Sequence, residues 1–381
     1  MAILASCKKS ALFKGLITVL GCSCLLMGLS ACGNDNSAVQ EGTTNTTVFS
    51  ANDDKQAIVI RVGYENASGE PFDLGMQHWQ EDVKKRSNGT IRLELYPGDG
   101  LGTKNDILQQ VKNGANIICK ADGADLYQLG AYDFGILSGP FLFKNWDEAY
   151  HLTESKWFKQ ANEKLSKEMG MHIISFKWNN SIRYLLSTKP ISKFGELKGL
   201  KIRVPNNDIH TNTWSIMKAE PVTLPNSKLY SAFANKDIDA ADLPLTRIAG
   251  ANLHREAPYL LLTAHNYNIA SLVISEQFWS TLTPEQQNIL TESCERSAKF
   301  YNVLHDANEY TVLNQMKKEG LKVTTPDPYF FKRINQKAHS FYILPVFKKW
   351  TPGLYYKVLG AKAIPWSFYT NGGKMPEKKA Q

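Results

Sequence analysis

Apolar residues follow two different periods along the chain. Residues 57–63 form an apolar run typical of a strand, and 71–87 place apolar residues at helical spacing. The same order repeats with a strand over 90–95, a helix over 106–112 and a strand over 116–120. Alternation of strands and helices is typical of parallel sheets covered by helices. The pattern therefore predicts an α/β architecture.

Four further segments complete this outline. The spacing predicts one long amphipathic helix over 146–168, followed by a strand over 171–177. The polar residues 178–181 are typical of a turn and predict a crossing between domains. Thr283-Pro284-Glu285 is a helix-start pattern, and it predicts a second long helix over 285–318.

A short alternating segment, 200–205, contains Arg203. Leu200, Ile202 and Val204 alternate with polar positions, so the segment predicts a strand with Arg203 on the face opposite the core. There a planar guanidinium could bind a carboxylate through two hydrogen bonds. The alternative is a surface arginine in a minor ion pair. This segment alone leaves both interpretations open.

Composition limits the class of protein. The chain has 381 residues, of which 43% are hydrophobic and 21% are charged, as in globular proteins large enough for two domains. The formal charge of +8 would fall to +5 with the loss of Lys8, Lys9 and Lys14. Lysines and acids are then interspersed, which argues against a nucleic-acid partner. A mildly basic surface favours anionic solutes.

The N-terminus predicts export. Three lysines precede an apolar run that ends in Leu29-Ser30-Ala31-Cys32, so residues 1–31 are expected to be a signal peptide. The last four residues resemble the lipobox of bacterial lipoproteins, which implies lipid attachment at Cys32 and a membrane anchor. A plain signal peptide is the alternative, and the run is too short for a membrane span. Residues 32–56 are polar and predict a flexible tether.

No motif favours catalysis. The sequence contains no nucleophile elbow, zinc-protease helix, paired Cys-x-x-Cys or phosphate-binding glycine loop, and its histidines lack ligand spacing. We therefore expect no enzyme activity, no cofactor and no metal. Cys119 and Cys294 are predicted to be buried small side chains, although a disulfide between them stays possible. The acidic group Asp237, Asp239 and Asp242 is interpreted as structural or cleft-lining.

Several motifs resemble one family in their order and spacing. They are Leu95-Tyr96-Pro97, Ile107–Gly114, Leu197–Pro205 with Arg183 twenty residues before Arg203, and Leu282–Gln287. Together they resemble the solute receptors of tripartite ATP-independent periplasmic (TRAP) transporters over roughly 58–347.

The resemblance implies a periplasmic-binding-protein (Venus-flytrap) fold of two α/β domains with a long helix spanning both. Domain I would comprise 57–180 and 269–308, and domain II would comprise 181–268 and 309–368. Residues 369–381 would be a disordered tail. The implied function is an extracytoplasmic receptor that binds a small organic acid and delivers it to TRAP membrane permease subunits. A receptor serving a sensor or an ATP-driven transporter is the alternative.

The resemblance also implies site residues. Arg203 matches the main carboxylate ligand of the family, and Arg183 matches an arginine that orients the solute. Asn66, Asp122 and Asn206 match polar contacts of sialic-acid receptors.

Two positions depart from those receptors. Leu243 replaces a solute-contacting asparagine, and Asn226 replaces a phenylalanine near the ligand, which puts sialic acid in doubt. Trp178 is interpreted either as a stacking residue of the pocket or as core.

Overall fold

The computed structural model describes residues 57–364 of the 381. The predicted signal peptide, Cys32, the tether and the tail at 369–381 lie outside the described residues. Within the described part, no helix has both the length and the apolar character needed to cross a membrane.

The described residues form nine strands and twelve α-helices. The strands are β1 (Ile58–Gly63), β2 (Ile91–Tyr96), β3 (Ile117–Asp122), β4 (Met171–Ser187), β5 (Lys201–Val204), β6 (Glu220–Thr223), β7 (Ala240–Pro244), β8 (Tyr259–Ser275) and β9 (Lys322–Thr324). The helices are α1 (Pro71–Arg86), α2 (Lys104–Lys112), α3 (Gly123–Gln128), α4 (Trp146–Glu154), α5 (Lys156–Met169), α6 (Asp208–Ile216), α7 (Leu229–Ala234), α8 (Leu245–Gly250), α9 (Glu276–Trp279), α10 (Pro284–Lys318), α11 (Phe330–Phe341) and α12 (Leu354–Lys362).

All nine strands belong to one sheet, which has two halves. The order is β2-β1-β3-β8-β4-β7-β5-β6, and β9 pairs with β8. Strands β1, β2 and β3 are parallel and form the first half. Strands β5, β6 and β7 are parallel and form the second half. The two long strands, β4 and β8, have 17 residues each and run through both halves.

The strand register places a gap between the halves. Strand β3 ends at Asp122, opposite Ala270 of β8, and β7 ends at Pro244, opposite Arg183 of β4. Arg183 in turn pairs with Asn266. Because β3 and β7 run in opposite directions, their carboxyl ends point at each other. The four residue steps of β8 from Asn266 to Ala270, which separate the two ends, span about 13 Å. We call this region the central gap.

Helix α10 packs against both halves of the molecule. Its first part joins the hydrophobic cluster of the first half through Leu290, Cys294 and Tyr301. Its last turns join the cluster of the second half through Met316. The Thr283 side chain caps the helix by accepting from the Gln286 amide. The predicted long helix is therefore confirmed, as is the α/β class.

Two local predictions are wrong. The predicted helix over 146–168 is broken at Ser155, whose backbone is extended. The Ser155 side chain caps the start of α5 by accepting from the Phe158 amide. The predicted turn at 178–181 is part of β4. The Asn302 side chain forms hydrogen bonds with the backbone of β4 at this point. It accepts from the Asn179 amide at 2.9 Å and donates to the Lys177 carbonyl at 2.9 Å. The polar residues 178–181 therefore mark a partnered strand edge and not a turn.

The two remaining cysteines behave as predicted. Cys119 and Cys294 are both buried, and neither forms a disulfide. Burial raises the pKa of Cys119 to about 12, so its thiol is protonated and unreactive.

Candidate ligand-binding site

The carboxyl ends of parallel strands from both halves lie at the central gap. Open α/β sheets bind ligands at such ends. A contact across the gap joins α3, which follows β3, to the loop that follows β5. In this contact Gln128 Nε2 donates to the backbone oxygen of Asn206 at 3.3 Å.

Arg203 is a buried cation without an acidic partner. Arg203 lies in β5 and is 3% exposed. Nε donates to the Leu224 carbonyl at 2.8 Å, and one Nη donates to Asn226 Oδ1 at 3.0 Å. It forms no ion pair with any acid of the described residues. Burial, and then the charge of Arg183, lowers the pKa of Arg203 to about 10, so the group is still protonated at neutral pH.

Of the two interpretations of Arg203, the alternative of a surface arginine is wrong, because the residue is buried. Its strand lies between β6 and β7, with Arg203 paired to Val222 and Ala241. The residues after β6 fold back over the strand end, where Leu224 and Asn226 accept both hydrogen bonds. A period-two pattern shows that Arg203 and the core residues Ile202 and Val204 occupy opposite faces. It does not show that both faces are covered.

Arg183 has a different environment. Its Nε donates to Asp242 Oδ1 at 2.7 Å, and one Nη donates to the Asp242 backbone carbonyl at 2.6 Å. Asp242 lies in β7 and is fully buried. The charge of Arg183 is therefore already compensated inside the protein.

Asp242 is held by further donors. Trp214 Nε1 donates to Oδ2 at 2.9 Å, and His210 Nδ1 lies 3.3 Å from the same oxygen. His265 Nε2 lies 3.2 Å from Oδ1. Burial alone would raise the pKa of Asp242, but the charges of Arg183 and His265 outweigh it and hold this pKa well below the ordinary value. We call these five residues the Asp242 network.

This network was not predicted from the sequence. Asp242 was interpreted as one of three structural or cleft-lining acids, Trp214 as a pocket or core residue, and His210 and His265 had no predicted role. One signal was available, because Asp242 is the only charged residue in the apolar strand Ala240–Pro244. A lone acid in a buried strand requires donors nearby.

The first half contributes a cluster of charged residues at the gap. Lys120, which is 5% exposed, places Nζ 2.8 Å from Asn66 Oδ1 and 3.2 Å from a Glu65 carboxylate oxygen. The ammonium also lies 4.5 Å from the centre of the Phe72 ring. Lys104 lies 3.2 Å from the other Glu65 oxygen. Burial opposes ionisation of Glu65, but the two lysines lower its pKa to about 2.

Asp122 and Asp125 complete this cluster. Asp122 Oδ1 accepts from the backbone amides of Ala124 and Asp125, and Oδ2 accepts from Asn268 Nδ2 at 2.8 Å. Lys104 Nζ lies 3.2 Å from Asp125 Oδ2. Burial, and then the charge of Asp122, raises the pKa of Asp125 to about 6. We call Glu65, Asn66, Lys104, Lys120, Asp122 and Asp125 the first-half cluster.

The structure brings some predicted site residues together and separates others. Arg203 and Asn226 are in direct contact. Asn66 and Asp122 both belong to the first-half cluster, and Asn206 is exposed at the contact across the gap.

Leu243 and Trp178 lie in the hydrophobic core. Leu243 packs in the cluster of the second half. Trp178 is fully buried between Phe72 and Tyr301, with ring centroids 5.4 and 5.3 Å away. Of the two interpretations of Trp178, this position favours core packing.

Two surface cavities lie elsewhere. Their volumes are about 420 and 350 Å³, and both are lined by residues of α5. Neither is lined by Arg183 or Arg203, so the buried cation of the central gap, and not cavity size, defines the candidate site.

The fold and the site define a class of protein, the extracytoplasmic solute-binding proteins. The model of one family, "Bacterial extracellular solute-binding protein, family 7", matches residues 62–343. The chain belongs to this family, which is made up of TRAP solute-binding receptors of the periplasm and not of enzymes. It has their two-domain fold.

Three relatives illustrate the similarity. The 2,3-diketo-L-gulonate-binding periplasmic protein of Escherichia coli is 24% identical over 267 residues, which cover 70% of this chain and 80% of the relative. A TRAP solute-binding protein from Ochrobacterium anthropi with bound L-fuconate is 34% identical, with a TM-score of 0.70 over 81% of this chain and 100% of the other. One from Actinobacillus succinogenes with bound L-galactonate is 31% identical, with a TM-score of 0.70 over 80% and 99%.

Proposed function

We propose that this receptor binds a monocarboxylate with several hydroxyl groups, such as a sugar acid, and delivers it to a TRAP permease. The observation that carries the proposal is Arg203, a buried guanidinium with no acid partner among the described residues. A buried unpaired charge is strongly unfavourable, and an anionic ligand would compensate it. A carboxylate accepting two charge-assisted hydrogen bonds fits the planar guanidinium.

The charge balance of the gap favours one negative group on the ligand. Arg183 is ion-paired with Asp242, so its guanidinium is already engaged and attracts a second anion less than the unpaired Arg203 does. In the first-half cluster, two lysines face three carboxylates, which leaves one excess negative charge. That cluster would repel the second anion of a dicarboxylate or a phosphate. Its carboxylate and amide oxygens would accept hydrogen bonds from hydroxyl groups.

Two related structures support this ligand class. The relatives that are 34% and 31% identical contain L-fuconate and L-galactonate, which are monocarboxylates with several hydroxyl groups.

The two halves of the sheet correspond to the two lobes in this proposal. Domain I would comprise 57–180 and 269–308, and domain II would comprise 181–268 and 309–368. The boundaries at 180 and 268 fall inside the central gap, where β4 and β8 are the strands that continue from one half of the sheet to the other. A ligand that contacts Arg203 and the first-half cluster together would favour the closed arrangement. Lipid attachment at Cys32 would hold the receptor at the membrane beside its permease.

Calorimetric titration tests the ligand class. We expect L-fuconate or L-galactonate to bind, and succinate and sn-glycerol 3-phosphate, which carry more than one negative charge, to bind at least tenfold more weakly. Arg203→Ala should weaken binding by about 3 kcal/mol or more, roughly a hundredfold, because two charge-assisted hydrogen bonds are lost. Arg203→Lys should also weaken it, since the planar fork is lost.

Arg333→Ala is the matched control, because Arg333 is an exposed arginine of α11. It should leave the affinity unchanged. Unchanged affinity in Arg203→Ala would refute the site. Tighter binding of succinate than of either sugar acid would refute the monocarboxylate class and leave the site intact.

A further inference from the structure

One face of α10 exposes apolar side chains. Phe300, Val303, Ala307 and Tyr310 follow one another at spacings of three, four and three residues, so they share one stripe of the helix. Val303 and Tyr310 are 70% and 72% exposed, and Phe300 is 40% exposed. We call these four residues the α10 seam. Single exposed apolar residues are ordinary, but this spacing is that of a helix that packs against another helix.

The seam is held rigidly by the rest of the chain. The opposite face of α10 is buried in the core through Cys294, Ala298 and Tyr301. Phe300 stacks on His78 of α1, with ring centroids 4.6 Å apart. A partner would therefore bind a surface that is already ordered, and binding would not include the entropic cost of ordering it.

The seam is symmetric about position 305. In an antiparallel pair of α10 helices centred there, Phe300 of each copy would face Tyr310 of the other. Val303 of each copy would face Ala307 of the other. The small Ala307 side chain would let the helix axes approach at the centre, while the aromatic pairs close both ends.

The charges around the seam also fit an antiparallel pair. The same centre places Glu292, which also pairs with Arg86 and Arg296 of its own chain, opposite exposed Lys318, and Arg296 opposite the neutral Asn314. A parallel pair would instead place each of these charges beside its own copy.

We propose that the α10 seam binds a second copy of this chain in an antiparallel, two-fold pair. The contact is short, so it belongs with the small interfaces that bury less than about 1,200 Å² in total. Such a contact gives weak association, with a dissociation constant on the order of 10–100 µM.

One residue, Asp306, opposes this pairing, and its substitution therefore tests the pairing. Asp306 is an exposed acid one position from the symmetry centre, so the two copies would bring their Asp306 carboxylates close together. Removing this repulsion should tighten the pair several-fold.

Sedimentation velocity tests the proposal. The exported chain, with Cys32→Ser to prevent lipid attachment, would be measured from about 5 to about 500 µM, a range that brackets the expected association. The mean mass should rise toward that of a dimer. Val303→Arg should abolish the rise, and Asp306→Asn should shift it to several-fold lower concentration. Val346→Arg is the control, because Val346 is 41% exposed outside the seam.

Cross-linking tests the register. A Val303→Cys chain mixed with an Ala307→Cys chain should form more mixed disulfide dimer than dimer of either chain alone, because 303 faces 307. Cys119 and Cys294 are buried and should not react.

Three results would overturn the proposal. They are a constant monomer mass over the whole range, a mass increase that Val303→Arg does not change, and a dominant dimer of one cysteine variant with itself. A constant monomer mass together with loss of solute uptake in Val303→Arg cells would assign the seam to the permease instead.

Discussion

Arg183 and Arg203 lie on strands of the same sheet, yet their surroundings differ. Arg183 donates to the side chain and the backbone of Asp242. Arg203 is less exposed than Arg183 but donates only to a carbonyl and an amide oxygen. The first arginine is paired within the protein, and the second is the cation that the proposed anionic ligand would compensate.

This difference separates two uses of a buried charge. A fully paired charge holds strands in place, and losing one partner is strongly destabilising. A charge without a partner lowers the stability of the empty protein and raises the affinity for an ion that compensates it. Three substitutions test this distinction, in order of decreasing effect.

The largest effect should come from Arg183→Met. It would leave Asp242 buried without its main positive partner, and we expect a loss of about 3–5 kcal/mol in the free energy of unfolding. Urea denaturation measures this loss. Adding Asp242→Asn should recover most of it, since the amide oxygen can still accept from Trp214 while the charge is gone. A loss below about 1 kcal/mol would mean that the pair is not part of the scaffold.

A buried carboxylate on α10 offers the mirror case of Arg203. Glu309 is 8% exposed, and neither of its oxygens forms a well-aligned hydrogen bond with any described residue, although the Thr246 amide is near. Burial, and then the charge of Asp306, raises the pKa of Glu309 to about 7, while His305 acts in the opposite direction.

The next effect should therefore come from Glu309→Gln. Between about pH 4.5 and pH 7 the folded protein holds a proton that the unfolded chain has released, so stability falls as pH rises through this window. Above pH 7 the ionised Glu309 lowers the free energy of unfolding by its full amount, about 3 kcal/mol. Glu309→Gln should remove this pH dependence and stabilise the protein at pH 8 but not at pH 4.

Urea denaturation at both pH values measures the effect of Glu309→Gln. Glu163→Gln, on an exposed residue in the middle of α5, is the control and should change neither value. Equal effects of Glu309→Gln at pH 4 and pH 8 would contradict a titrating buried carboxylate.

The smallest effect should come from Arg203→Met in the empty receptor, and its sign should be opposite to that of Arg183→Met. Removing an unpaired buried charge should raise the free energy of unfolding by about 1 kcal/mol, even though ligand binding is lost. Thermal unfolding without ligand measures the gain in stability, and thermal unfolding with ligand measures the loss of binding. A loss as large as that of Arg183→Met would show that Arg203 also serves the scaffold.

Much of the fold could be predicted from local pattern. The first strands and helices and α10 have clear periods and start signals, so their existence was predictable. The errors occurred where a side chain changed the backbone locally. Ser155 breaks a helix by capping the next one, and Asn302 keeps polar residues 178–181 in a strand. Such partners are distant in sequence or act against the period, so periodicity does not indicate them.

The amino-acid sequence by itself determined the α/β class and the long helix, which depend on residue type and on spacing along the chain. It indicated Arg203 as a ligand-binding cation only through the family resemblance, because its own segment left a surface arginine open. Only the tertiary structure decided which arginine lacks a counter-charge, because Asp242 is 59 residues from Arg183 and reaches it through strand pairing. It also decided that Arg203 is buried, since the cover over β5 comes from the segment after β6.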